Sequence, residues 1–319
     1  MKIKKLYFFY GGAVAKNENK KNTMRSLQNG AHFLGIPTES CDTAMEFGRN
    51  NKNDYSRTNE YGVRLGYLPS KDRFIEKNFQ NNLFFVDRNI LKDYQTDASI
   101  LKQKYFRISL GSIYHELSKK INIPNDILKI KQKKFYENFD INLKQNKKPI
   151  KSAKILLLLN KPHGFGTNDI NGNSIGWGLN KIKELRSNGF NNRIDMRFHP
   201  ATYTGVKQKT VSKADHAYKN VYLSNNNIAL NSILKDEYLC VIGYNTSAIV
   251  PFFIEGVPIW VDCKTNILYK YSNIYNISDI NKLKVNINNK QKFLDECINI
   301  LWTTEQMSQG LLWKSYLAN

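Results

Sequence analysis

Two stretches constrain this chain most: "LYFFYGG", residues 6 to 12, and "KILLLLN", residues 154 to 160. Each is an unbroken apolar run that stops at glycines or at a glycine-rich loop. A strand with no polar residue at alternate positions must be covered on both faces, as inside a parallel sheet flanked by helices. Helical spacing follows each run, over Thr23 to Leu34 and over Trp177 to Asn188. Two strand, glycine turn, helix units predict an α/β fold of two Rossmann-like domains facing across a cleft.

Further strands are predicted at Asn82 to Asn89, ending in Asp87, at Lys104 to Ser112, Arg193 to Pro200, Val221 to Asn225 and Glu237 to Asn245. The stretch "YNTSAIVPFFIEGVPIWVD" adds a short apolar helix opened by Thr246-Ser247, then a break at Gly256 and Pro258, then a strand to Asp262. At 319 residues the chain exceeds one typical domain of roughly 100 to 150 residues. The predicted boundaries are 1–150, 151–289 and a tail of amphipathic helices over 290–319, with a linker near 144–153 inside a Lys/Asn/Pro-rich run.

A formal charge of +21 favours a polyanionic partner, although abundant Lys, Asn, Ile and Tyr also fit an AT-rich coding bias. Cys41, Cys240, Cys263 and Cys297 lie far apart with no CxxC spacing, so neither a disulfide framework nor a metal site is expected. The basic, apolar start MKIKKLYFFYGG is too short in its apolar part for a signal peptide. With no apolar run near 18 residues, no stable membrane insertion is expected, and the predicted location is cytoplasmic, a host cytoplasm if the protein is viral.

GxxxxGK[ST], a clean GxGxxG, HExxH and DxD after a strand are all missing, which moves P-loop and dinucleotide enzymes out of the front rank. What remains lies at the carboxyl ends of predicted strands, where open α/β sheets bind ligands. These positions are Lys161, His163, Gly164 and Gly166; Arg197, His199 and Pro200; and Asn245, Thr246 and Ser247. Cationic side chains, small hydroxyls and free amides all donate to anionic oxygen, and a helix start adds its positive dipole end, so a phosphate site is predicted. Taken singly, Thr246 or Ser247 also reads as a plain N-cap, His199 as a turn residue and the glycines as a surface loop.

"RFHP", followed some way on by "NTSAIVPFFIEGVPIW", resembles the donor domain of GT-B glycosyltransferases, most of all bacterial capsule transferases and phage sugar-transfer enzymes. The tail "LWTTEQMSQGLLW" resembles phage proteins of this kind more faintly. The resemblance implies a GT-B-like arrangement, a nucleotide-sugar co-substrate that is UDP-linked, no cofactor and no metal. It places His199, Thr246 and Ser247 on the donor phosphates and Glu255, Gly256 and Pro258 near the nucleoside. Pro251 stands where many of these enzymes carry a glutamate.

Transfer needs a base near the acceptor, for which Asp87 and His115 are the candidates, with Gly11 and Gly12 able to bring backbone toward the donor. The charge and the phage likeness favour a monomer that glycosylates hydroxymethylated pyrimidine in double-stranded phage DNA, contacted by Lys131, Lys133 and Lys134. The alternatives are transfer to a surface polysaccharide or glycan, and a non-catalytic nucleic-acid-binding protein with Rossmann-like domains.

Overall fold

The computed structural model describes residues 2–11, 14–41, 59–65, 82–91, 94–96, 104–110, 123–143, 154–162, 170–225, 230–233, 238–264, 266–272 and 287–317, with Phe79, Thr167 and Ile228 between them. They form two compact units, Met1–Asp140 with Asp295–Asn319, and Ile141–Leu294. The division falls inside the helix Ile287–Ile300. The linker predicted at 144–153 lies outside the described residues.

With strands numbered along the chain, the first unit holds β1 (Lys5–Phe9), β2 (Thr38–Cys41), β3 (Glu60–Leu65), β4 (Leu83–Arg88), β5 (Tyr105–Leu110) and β11 (Leu301–Thr303). Their order is β11-β5-β4-β3-β1-β2. β2, β1, β3 and β4 run parallel, whereas β5 and β11 are antiparallel additions. Helix α1 (Glu18–Phe33) starts five residues before the predicted Thr23 because Asn17 caps it, its Oδ1 accepting from Lys20 N–H at 3.1 Å. That first turn is polar and solvent-facing, so it carries no apolar period to read. The helix ends at Gly35, φ +67°, where Ile36 N–H reaches back to the Ala31 carbonyl at 3.0 Å, a left-handed stop that glycine adopts without strain.

β3 escaped prediction because Gly62 and Arg64 break its apolar run. A Cβ at Gly62 would lie 2.6 Å from Leu83 Cδ1, so any larger residue there would force the Leu83 side chain to shift. In the tail, Leu301–Thr303 is a strand and not part of a helix. Thr303 and Gln306 then form a reciprocal capping box, Gln306 N–H to Thr303 Oγ1 at 3.1 Å and Thr303 N–H to Gln306 Oε1 at 3.0 Å, which restarts the helix. Trp302, Met307, Leu312 and Trp313 complete one core with Phe8, Leu27, Val63 and Phe84.

The second unit holds β6 (Lys154–Leu158), β7 (Ile194–Arg197), β8 (Val221–Leu223), β9 (Tyr238–Gly243) and β10 (Ile259–Val261). All neighbours are parallel and the order is β10-β9-β6-β7-β8. This is the doubly wound order, with the chain direction of winding reversing between β6 and β9. The fold is therefore α/β with two Rossmann-like units. The helices Ser174–Ser187 and Thr204–Tyr218 follow β6 and β7. The buried carboxylate of Asp195 is satisfied near the amino ends of these strands by Arg193 at 2.6 Å and Tyr238 at 3.1 Å.

The helix Val250–Ile254 is buried at every position, Phe253 meeting the rings of Tyr271 and Phe293. It stops at Gly256, φ +86°, with Val257 N–H bonded to the Phe252 carbonyl at 2.9 Å. Pro258 then opens β10, its carbonyl accepting from Val241 at 2.9 Å. The fully buried Lys290 caps the helix, its Nζ 3.3 Å from the Ile254 carbonyl. Burial pushes this ammonium down to about 8, opposed by Glu255. The folded value lies below the ordinary 10.5, so the unfolded chain binds more protons between those limits and stability rises with pH across that window. Denaturant titrations from pH 8 upward should give a more positive slope for the parent than for Lys290→Met, and equal slopes would show that Lys290 titrates as a free lysine.

Candidate active site

The carboxyl ends of β6, β7 and β9 carry most of the described candidates. Beyond β9, Thr246 is the N-cap of the turn Ser247–Ile249, its Oγ1 accepting from Ala248 N–H at 3.2 Å. The cap role thus belongs to Thr246, and the neighbouring Ser247 is exposed. Beyond β7, Phe198 turns into the core and His199 to the surface. His199 Nδ1 accepts from Ala201 N–H at 3.1 Å, so a neutral ring carries its proton on Nε2, ready to donate. Packing around the ring holds its pKa below the ordinary 6.5, and the cations Lys161 and Lys207 lower it further. Those two ammonium groups therefore share the electrostatic environment of His199.

Lys207 was not predicted. It lies in the first turn of Thr204–Tyr218, a helix whose N-cap Tyr203 makes no side-chain cap and whose first turn contains no acid. The spacing of its buried residues, Lys207, Thr210, Val211 and Ala214, was the available signal: a lysine standing in an apolar stripe. Arg197 is spent differently from the expectation. Its Nη1 and Nη2 hold the Asn225 and Ile228 carbonyls at 3.0 and 2.6 Å, which shapes the loop after β8.

Between β6 and β9 two loops are joined by side chains. Asn160 Nδ2 donates to the Asn245 carbonyl at 2.6 Å and Asn245 N–H returns to Asn160 Oδ1 at 3.3 Å. Asn266 Nδ2 donates to Asn245 Oδ1 at 3.2 Å. Gly172-Asn173-Ser174-Ile175-Gly176 has the G-x-S-x-G spacing of hydrolase nucleophiles. Its serine is fully buried and donates to the Asn160 carbonyl at 2.8 Å, so the spacing is structural here. After β10, Asp262 is taken by Trp177 Nε1 at 2.8 Å and Lys181 Nζ at 2.9 Å.

Near the predicted nucleoside region, Gly256 and Pro258 serve the helix stop and the strand start described above, and Glu255 is the C-cap residue of that helix. Gly12, His115, His163, Gly164 and Gly166 lie outside the described residues. In the first unit, Gly11 follows β1, the strand at which a sheet of order 2-1-3-4 reverses. Asp87 pairs with Arg107 at 2.8 Å, so an arginine occupies one oxygen of the candidate base.

The expected nucleic-acid contacts need correction. Lys131 is buried, donating to the Leu301 carbonyl at 2.8 Å and the Asn299 carbonyl at 3.3 Å, with Nζ 3.0 Å from the Trp302 ring centre. It satisfies carbonyls at the end of Ile287–Ile300, where a cation also meets the negative end of the helix dipole. Lys134 pairs with Glu305 at 2.7 Å, and Lys133 alone of the three is an exposed side chain. The stripe Ile127, Lys131, Phe135, repeating every fourth residue, is the signal that placed Lys131 inside.

No family model matches the chain, and no curated protein does. Among solved structures it is similar to the beta Kdo 2,7 transferase KpsC of Thermosulfurimonas dismutans, at 11% identity and TM-score 0.49 over 97% of this chain and 99% of that one. The beta Kdo 2,4 transferase of the same protein is similar at 8% identity and TM-score 0.41, over 88% and 90%. No helix among the described residues is long and apolar enough to cross a membrane.

Proposed function

We propose that the chain is a metal-independent glycosyltransferase that takes a nucleotide-sugar donor at the carboxyl edge of its second sheet and passes the sugar to a surface polysaccharide or glycan. One observation carries the reading. At the carboxyl edge of the sheet, His199 beyond β7, with its proton on Nε2, shares its surroundings with Lys161 and Lys207, and the loop after β9, on the far side of β6, presents an exposed Ser247. In glycosyl transfer an acceptor hydroxyl oxygen bonds the anomeric carbon and gives its proton to a base, while the bond from that carbon to the phosphate oxygen breaks with the electron pair staying on the phosphate. Fixed donors and cations around that oxygen lower the barrier as the charge develops. Lys161, Lys207, His199 Nε2–H and the Ser247 hydroxyl supply them, with Thr246 holding the turn that presents Ser247.

The glycan acceptor is favoured over DNA because Lys131 is drawn into the core and Lys134 is neutralised by Glu305. Two of the three cations proposed to meet a duplex thus serve the fold. A panel of UDP- and CMP-linked sugars tests the reading: a true donor at about a hundred times its Kd stabilises the protein by about 2.7 kcal/mol. Ser247→Ala should abolish most of that gain. If no nucleotide sugar stabilises the parent, the transferase reading is wrong. Transfer to hydroxymethylated duplex DNA, with binding that weakens steeply with salt, would reinstate DNA as acceptor.

A further inference from the structure

We infer that Asn160 is a positioning residue that sets the distance between Lys161 and Ser247 across the reversal of the sheet; this rests on the reading that the edge holds a donor phosphate. The last paired residues of β6 and β9 are Leu158 and Gly243. Beyond them the chain after β6 leads to the helix Ser174–Ser187 and the chain after β9 to the turn Ser247–Ile249. At such a reversal the two chains leave for different connections, which opens a crevice and ends the backbone ladder.

Asn160 continues the register two residues further, opposite Asn245. Its amide closes a ring on the Asn245 backbone, donating at 2.6 Å and accepting at 3.3 Å, and so replaces the ladder bonds that the diverging chains give up. Both sides of this ring are held in turn. The Asn160 carbonyl accepts from Ser174 Oγ at 2.8 Å, and the Asn245 side chain accepts from Asn266, whose own Oδ1 takes Leu268 N–H at 2.8 Å. Asn245 is 5% exposed, so the ring is protected from water on that side. Lys161 and Thr246-Ser247 are the next residues on each chain, and their spacing across the crevice is inherited from the ring. Groups that position a reacting substrate tolerate little displacement, a shift near 1 Å costing up to about 10²-fold in rate.

The test is a double-mutant cycle in the full chain, read by calorimetric titration with UDP and with CMP. Asn160→Ala should weaken binding of the better of the two about tenfold, and the Asn160→Ala, Ser247→Ala double variant should bind no more weakly than about the worse single one. Strict additivity would assign Asn160 a general structural role and overturn the inference. So would unchanged affinity in Asn160→Ala while Ser247→Ala loses it, an outcome that leaves the donor reading standing. Failure of the parent to bind either nucleotide overturns both. Should Asn160→Ala not fold, Asn160→Gln, which keeps the amide but displaces it by one methylene, takes its place in the same cycle.

Discussion

His199→Ala is expected to lower turnover with the preferred nucleotide sugar by about 10²- to 10³-fold, with little change in Tm. The ring is exposed and accepts a hydrogen bond from Ala201 N–H, so its removal costs the fold little. Its value lies in Nε2–H, a neutral donor kept at its post. Packing, Lys161 and Lys207 hold the imidazole pKa down, so at neutral pH the ring is uncharged. On acidification the unfolded chain takes up the proton before the folded one, and the contribution of the neutral ring to stability is lost as pH falls from about 6.5 through the depressed folded value. Turnover should therefore be flat through pH 7 where an unperturbed histidine would already titrate. Activity equal to the parent in His199→Ala would remove this residue from the mechanism.

Trp313→Ala is expected to destabilise the first unit by about 3–5 kcal/mol, measured by denaturant unfolding. The side chain is fully buried, edge-on to Phe84 at 5.2 Å and to Phe8 at 6.4 Å between ring centres. Its Nε1 donates to the Leu27 carbonyl at 2.7 Å. Truncation removes a large aromatic and leaves that carbonyl without this donor, two separate costs. Trp313→Phe keeps much of the packing and should lose less. A loss below about 1 kcal/mol in the alanine variant would show that the tail does not complete this core.

Where a strand is buried on both faces, as at β1, β6 and β9, its composition alone betrays it, because nothing polar is tolerated on either side. The same reasoning missed β3, whose Gly62 packs against the Leu83 side chain on the neighbouring strand, a partner some twenty residues away. Among the site residues, His199 and Ser247 stood out because donor-type side chains sit directly at strand ends. Asn160 did not, because an asparagine after a strand looks like any turn former until Asn245 is seen opposite it.

The buried lysines mark the boundary most clearly. Lys131, Lys181, Lys207 and Lys290 all occupy apolar stripes or buried helix faces, yet a lysine read alone implies solvent or a polyanion. What draws Lys131 and Lys290 inside is a backbone carbonyl at a helix end, at Leu301 and Ile254, and the ends of helices are brought to them by the fold. Apolar periodicity is local, so two Rossmann-like units are legible in composition and spacing, along with the strand ends that the proposed site would use. Hydrogen-bond partnership is non-local. The packing of the helices settles that Lys131 and Lys290 bond carbonyls at helix ends, a role no stretch of sequence displays.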